Sequence, residues 1–369
     1  MAKEHREFQD FYLIGQKMSI KEISISGRKI GKNHKPFIIA EMSGNHNGDL
    51  KRALQIVESA AKSGADAIKF QTYTASTMTL NIKEGEFLID NKSSLWSGRN
   101  LYDLYEQAHT PWQWHKELFD FARKLGLIPF SSPFDASAVD FLEELGCPCY
   151  KIASFEIIDI PLIKKAASTG KPLIMSTGMA QKQEIAEALT AAQSVGCKNI
   201  ILLKCTSTYP ALPTNANITT IPSMSEDFSV PVGLSDHTLG IGVAIASIAL
   251  GAVAIEKHFT LDRNDGGVDS AFSLEPEELK NLVVESERAW QSLGKVTYGC
   301  SRDEEKSLQY RRSLYVVEHI SKGEKFSNNN IKSIRPGLGL LPKYIDEIIG
   351  KHAACDLKKG TALKREFIK

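Results

Sequence analysis

The sequence predicts a parallel (β/α)8 barrel of the TIM type followed by a small second domain. Three observations carry this prediction. Eight short apolar runs occur along the chain, helical periodicities separate them, and the runs end in, or lead directly into, polar or charged residues. The runs are Phe37–Glu41, Ala67–Gln71, Leu127–Ser131, Cys149–Ala153, Leu173–Ser176, Ile200–Cys205, Val232–Ser235 and Ala254–His258. Between them, i, i+3, i+4 apolar spacings such as Ala53-Ile56-Val57-Ala60 and Val139-Leu142-Leu145 mark helices. Strict strand–helix alternation implies parallel strands with right-handed crossovers, and eight units suggest closure. An open doubly wound sheet is the rival, but no Gly-x-Gly-x-x-Gly follows the first strand.

Taken in order, residues 1–17 carry no clear signal. Met18–Gly27 alternates like a hairpin strand, so 1–36 reads as an extension and hairpin ahead of a barrel spanning 37–293. The connection between the second and third strands, about 55 residues, far exceeds a normal βα loop. Its first part is polar. Its second part reads as two helices divided by Thr110-Pro111, with Thr110 as N-cap and Pro111 at N1. Trp96, Arg99, Tyr102 and Tyr105 are candidates either for a pocket wall or for packing of the loop onto the barrel. Ile241–Ile255 is the longest apolar run, but Gly242 and Gly251 interrupt it and Glu256 ends it, which fits a buried helix entering a strand. After the helix Pro276–Leu293, residues 294–311 read as a linker with the charged run Ser301–Lys306. Residues 312–369 form a compact, turn-rich domain with about twice as many basic as acidic residues, suited to docking or to supplying positive charge to an anion site.

Bulk properties exclude several classes of function. Hydrophobic residues make up 42% and charged residues 24% of the 369, an ordinary globular balance. A net charge of +1 gives no case for nucleic acid. No apolar run approaches the roughly 20 residues of a membrane helix. Lys3, Glu4, Arg6 and Glu7 argue against a secretory signal, so a cytoplasmic location is expected. The six cysteines lack a Cys-x-x-Cys spacing and are expected to be buried, reduced thiols. Only Cys205, at a strand end, stands out.

The chemistry lies at the strand ends. The first strand ends in Glu41 and leads into Ser43-Gly44-Asn45-His46, and the second carries Lys69 and Gln71 on one face. Ser131 and Ser132 end the third; Lys151, Ser154 and Glu156 follow from the fourth; Ser176-Thr177-Gly178 follows from the fifth. The last three give Ser207 and Tyr209, then Asp236-His237, then Glu256-Lys257-His258. Burying so many polar groups without partners costs about 1–3 kcal/mol each, so a working carboxyl face is expected. Two lysines with several hydroxyls and Gly-flanked amides suit a phosphate and a carboxylate. His237 and His258 end adjacent strands, so their imidazoles can converge on one divalent ion. Two histidines completed by oxygen ligands suit manganese, magnesium or iron better than structural zinc. Glu256 and Gln71 are placed to hold its water ligands.

These residues resemble the sialic acid synthase family. The runs are Ile39–Gly48, Lys69-Phe70-Gln71-Thr72, Ser131-Ser132-Pro133-Phe134, Tyr150–Glu156, Ser176-Thr177-Gly178-Met179, Gly233–Thr238 and Glu256-Lys257-His258-Phe259. The likeness spans Met18 to Lys369, including a C-terminal domain similar to type III antifreeze proteins, a SAF domain. It implies condensation of phosphoenolpyruvate with an open-chain acetamido sugar to give a nonulosonic acid and phosphate. The inserted loop, with Trp96, Arg99, Tyr102, Tyr105, Trp112, Trp114 and His115, resembles the branch that makes pseudaminic acid from 2,4-diacetamido-2,4,6-trideoxy-altrose. N-acetylneuraminate and legionaminate synthases are the alternatives. The resemblance sets Lys69, Ser132, Lys151, Ser154, Ser176 and Ser207 around phosphoenolpyruvate, although Ser207 departs from an Asn common in the neuraminate branch. It gives His237 and His258 to a manganese or magnesium ion that polarises the sugar aldehyde, and Glu41, Tyr209 and Asp269 to the sugar. Glu156 would position substrate or shuttle a proton. It also implies a domain-swapped homodimer whose C-terminal domain offers Arg335 to the sugar.

Two rivals remain at this stage. A synthase acting on a phosphorylated aldose would need a further basic site. An ice-binding or docking module would take the C-terminal domain at face value, against its many charges.

Overall fold

The computed structural model describes residues 22–90 and 95–369. The expected extension 1–17, the start at Met18 and Ser94 of the inserted loop lie outside the described residues. The chain divides into two compact units between Gly294 and Lys295.

The first unit opens with an antiparallel hairpin, β1 (Ile23–Ile25) and β2 (Arg28–Ile30), turned by Ser26 and Gly27 at positive φ. Eight parallel strands follow: β3 (Phe37–Glu41), β4 (Ala67–Thr72), β5 (Ile128–Pro133), β6 (Tyr150–Ile152), β7 (Leu173–Ser176), β8 (Ile200–Cys205), β9 (Val232–Ser235) and β10 (Ala254–His258). They close in sequence order, β10 pairing with β3. Both faces of these strands are covered, so apolar residues run continuously: every residue of β3, β7, β9 and β10 is buried. Helices between the strands cover the outside through one apolar stripe each. Leu50–Lys62, for example, buries Ala53, Ile56, Val57 and Ala60 and is capped by Asp49, whose side chain accepts from Lys51 N–H.

Register decides what meets at the carboxyl end. His258 pairs with Glu41, Glu41 with Lys69, Gln71 with Ser132, and Glu256 with Ser235. Residues distant in sequence thus stand shoulder to shoulder on one rim.

The structure departs from the sequence reading in several places. β5 runs from Ile128 on to Pro133, two residues beyond the expected end at Ser131, so Ser132 is a ladder residue. β6 stops at Ile152, and a 3-10 turn, Ser154–Glu156, follows it. Thr110 is not an N-cap. Pro111 takes that position of helix Trp112–Lys124, while the buried Thr110 hydroxyl faces His46 Nε2 at 3.4 Å. Cys300 and Cys355 are exposed, whereas Cys147, Cys149, Cys197 and Cys205 are buried.

The second unit carries its own core of Leu314, Val316, Ile320, Phe326, Ile331 and Leu363. Its strands β11 (Ser313–Val316) and β12 (Ile331–Ile334) pair antiparallel.

Candidate active site

Four charged side chains form the floor of the barrel mouth. Lys69 Nζ stands 2.9 Å from Glu41 Oε2 and 3.7 Å from Glu256 Oε1, and donates to Ser132 Oγ at 3.3 Å. Lys151 Nζ lies 3.6 Å from the same Glu256 oxygen, which also accepts from Ser235 Oγ. Gln71 donates to Glu41 Oε1 at 2.8 Å and to Ser43 Oγ, and Ser43 donates in turn to Asp269. Burial would depress the Lys69 pKa, but Glu256 and Glu41 outweigh it and hold the ammonium above its ordinary range. Lys151 is pushed down, first by burial and then by Lys69, against the pull of Glu256. Burial raises Glu41 and Asp269. Lys69 thus has two carboxylates within 4 Å, whereas Lys151 has only Glu256, which it shares with Lys69.

Beside the lysines sits a cradle of small donors. Gly178 N–H donates to Ser154 Oγ at 3.1 Å. A Cβ at Gly178 would stand 2.1 Å from Ser207 Oγ and 2.8 Å from Ser154 Oγ, so only glycine lets these hydroxyls close together. The buried Ser176 Oγ has no hydrogen-bond partner, and neither do Glu156 Oε2, Glu256 Oε2 and His258 Nδ1. Unpaired buried polar atoms are rare, and four lining one cavity point to a ligand that pairs them.

His237 and His258 meet with ring centroids 5.3 Å apart. Nδ1 of His237 donates to Thr206 O at 2.9 Å, which leaves Nε2 with its lone pair whenever the ring is neutral. Burial opposes a charge on His237, yet Cys205, the Thr206 carbonyl and Glu256 together raise its pKa, so the surroundings favour positive charge there. His258 is held neutral well below its ordinary range by burial and by His237 and Lys69. No group of three or more His, Cys, Asp or Glu residues poised for a metal occurs among the described residues. The donor set therefore fits a divalent cation held by two imidazoles with positions left for water or substrate oxygens, and it does not fit a closed structural cage.

The cavity has a volume of about 440 Å³, enough for a sugar-sized molecule. Its lining gathers Glu41, Lys69, Gln71, Lys151, Ser154, Glu156, Ser176, Tyr209, His237, His258 and Asp269 from the sequence-derived candidates. Ser132 and Ser207 are not among the lining residues: Ser132 Oγ accepts from Lys69 Nζ, and Ser207 Oγ lies beside Gly178. Arg335 belongs to the second unit, where it is exposed. From the inserted segment Trp96 and Tyr105 reach the cavity, while Arg99 and Tyr102 are not among its lining. Trp96 Nε1 donates to Val268 O at 3.0 Å, tying the insertion to the loop after β10. Sequence reasoning noted Ser43, Cys205 and Ser235 at strand ends without giving them a site role, and it missed the apolar Met78, Ile89 and Leu101. It treated Glu256 only as a holder of water, although this residue faces both lysines. Ser43 had a signal in its position two residues beyond Glu41; the apolar residues had none.

Glu156 yields a stability prediction. Burial pushes its carboxyl up to about 7, only partly opposed by Lys151. The folded chain then keeps a proton that the unfolded chain loses near pH 4.5, so stability falls as pH rises from about 4.5 to about 7. The full effect is up to about 3 kcal/mol. Glu156→Gln removes it: relative to the parent, the variant should gain melting temperature between about pH 4.5 and pH 7 and hold that gain above it. A pH-independent difference between the two would contradict the shift.

Comparison with known proteins places this geometry among relatives. The NeuB family pattern matches residues 56–298, and the SAF domain pattern matches residues 311–369. The chain is 46% identical to the pseudaminic acid synthase of Helicobacter pylori, over 90% of this chain and 98% of that one. It is 44% identical to the pseudaminic acid synthase of Campylobacter jejuni, over 90% and 96%. Among solved structures, the N-acetylneuraminic acid synthetase of Leptospira borgpetersenii superposes with a TM-score of 0.70 at 35% identity, covering 78% of this chain and 95% of that one.

Proposed function

The chain belongs to the NeuB family, and from that premise we propose that it is a pseudaminic acid synthase. It joins phosphoenolpyruvate to 2,4-diacetamido-2,4,6-trideoxy-altrose and adds water, giving pseudaminic acid and phosphate. The observation that carries this reading is one cavity with an ionic floor of two lysines, a serine cradle and an imidazole pair, roofed by the inserted segment.

The residues divide the work. Lys69 and Lys151, with Ser132, Ser154, Ser176 and Ser207, hold the carboxylate and phosphate of phosphoenolpyruvate as point charges surrounded by donors. Glu41, Gln71, Tyr209 and Asp269 orient the sugar. A manganese or magnesium ion held by His237 and His258 would supply Lewis acidity at the sugar aldehyde. The enol carbon forms a bond to the aldehyde carbon, water adds at the carbon bearing phosphate, and phosphate leaves as the ketone forms. Glu156, protonated near neutrality, holds a proton at Oε2 for transfer to a departing oxygen.

The working unit in this proposal is a homodimer in which the Arg335 turn of one copy covers the partner's cavity. Large apolar residues stand exposed on loops after four consecutive strands: Phe155 and Ile158, Met179, Leu212, and Leu239. The second unit exposes Ile334, Leu338 and Leu341 around Arg335. Apolar surface of this kind is ordinarily covered by a partner. No helix among the described residues is long and apolar enough to cross a membrane. Phosphoenolpyruvate as co-substrate supports action in the cytoplasm.

Phosphate release with phosphoenolpyruvate, Mn2+ and a panel of acetamido sugars tests the assignment. The diacetamido altrose should exceed N-acetylmannosamine in kcat/KM by at least about a hundredfold, because a site pairing a 4-acetamido group is left with unpaired polar atoms when that group is missing. Equal or better use of N-acetylmannosamine would move the enzyme to the neuraminate branch.

A further inference from the structure

We infer that the buried Lys257–Asp236 pair is a positioning device, fixing His237 relative to His258 and thereby setting the affinity of the metal site. This rests on the proposed metal role of the two histidines. Alternation along β10 sends Glu256 and His258 into the cavity and Lys257 to the opposite, outer face. There Lys257 is 1% exposed and Asp236 3%.

Lys257 Nζ donates to Asp236 Oδ2 at 3.0 Å, Thr238 O at 2.5 Å and Gly240 O at 2.8 Å, which uses all three of its protons. Asp236 Oδ1 accepts from Thr238 N–H at 2.9 Å. The position of these bonds matters. β9 ends at Ser235, and the ladder's closing bond is Asp236 N–H to Glu256 O at 2.9 Å. His237 lies one residue past that bond. On its β8 side the segment is held by Ala211 N–H, which donates to His237 O. On its β10 side the lysine stands in for the missing rungs. A buried ion pair adds little net stability compared with apolar residues of the same size, so folding alone does not account for it. Metal affinity, in contrast, depends on ligand positions good to about 0.2 Å.

The test measures Mn2+ binding to the metal-free full chain by the paramagnetic resonance signal of free ion, alongside melting without metal. The double variant Lys257→Met/Asp236→Asn leaves no buried unpaired charge and keeps the acceptor for Thr238. Its Mn2+ Kd should rise about ten- to a hundredfold. Asp66→Asn, which weakens the Arg28–Asp66 ion pair at the far end of β4, serves as a control for general destabilisation and should leave Kd unchanged. If the double variant does not melt cooperatively, Lys257→Arg decides, since a planar guanidinium cannot reproduce three bonds converging on one nitrogen. A folded variant binding Mn2+ within twofold of the parent overturns the inference while leaving the metal site intact. A parent that binds Mn2+ no better than His258→Ala overturns the metal reading itself, and the inference with it.

Discussion

Replacing His258 or His237 with Ala is expected to lower kcat by at least about a thousandfold, with the metal-free protein melting within a few degrees of the parent. The two expectations separate because of how the rings are held. His258 Nδ1 has no hydrogen-bond partner, so no protein bond is lost there on removal. The ring packs edge-on against Phe272 at 4.9 Å, His237 at 5.3 Å and Tyr209 at 6.4 Å, and its Nδ1 lies 3.6 Å from Asp269 Oδ2, so ring contacts and no strong hydrogen bond are forfeited. His237 loses its bond to Thr206 O, a long contact with Cys205 Sγ and ring packing against Tyr209. Neither change removes a strand rung, since β10 is paired on both sides through its backbone. Phosphate release at saturating Mn2+ and a melting curve measured on the same preparation check both halves. Full turnover by either variant after chelation and metal replacement would remove the imidazoles from the metal site.

The barrel was legible because its signal is local and repeated. Eight apolar runs and a polar residue at or just past each end are properties of single segments, and all eight strands occur where the runs do. Lys69 and Gln71 were legible as one face because strand alternation is strict, and both indeed contact Glu41. What the sequence left open depends on the closing of the barrel. Nothing in the segment around Glu256 states that two lysines from other strands will stand within 4 Å of one of its oxygens; register does. Thr110 shows the opposite failure. Its local pattern satisfied a capping rule, but burial beside His46 claimed the hydroxyl. The inserted segment was least legible. Met78, Ile89 and Leu101 line the cavity, yet no periodicity distinguishes an apolar residue facing a ligand from one facing the core.

Arg335→Ala is expected to reduce kcat/KM by about a hundredfold or more, the loss typical of a buried charge-assisted contact to substrate, with little change in melting. The side chain is exposed on the second unit and makes no contribution to that unit's core. It stands at the end of a turn that Ser313 fastens: Ser313 Oγ donates to Pro336 O at 2.7 Å and accepts from Gly339 N–H at 2.9 Å. A Cβ at Gly339 would fall 2.4 Å from Leu314 O, so the turn is packed tightly onto β11 and its shape is fixed. A fixed turn can present a planar guanidinium to an acetamido carbonyl at small entropic cost. In the proposed dimer that sugar belongs to the partner, and subunit mixing exposes the arrangement. Each heterodimer of Arg335→Ala with His237→Ala has one cavity with intact imidazoles beneath an intact turn, while its other cavity has both defects. Equal mixing makes half the dimers mixed, so about a quarter of parental activity should return from two nearly inactive proteins. If each turn served its own cavity, every site in the mixture would carry one defect and nothing would return. Heterodimers shown by differential tagging, without recovered activity, would therefore end either the exchange or the role of Arg335, and the single variant separates these: near-parental kcat/KM in Arg335→Ala alone removes the residue, and a severe loss leaves the exchange as the part that failed.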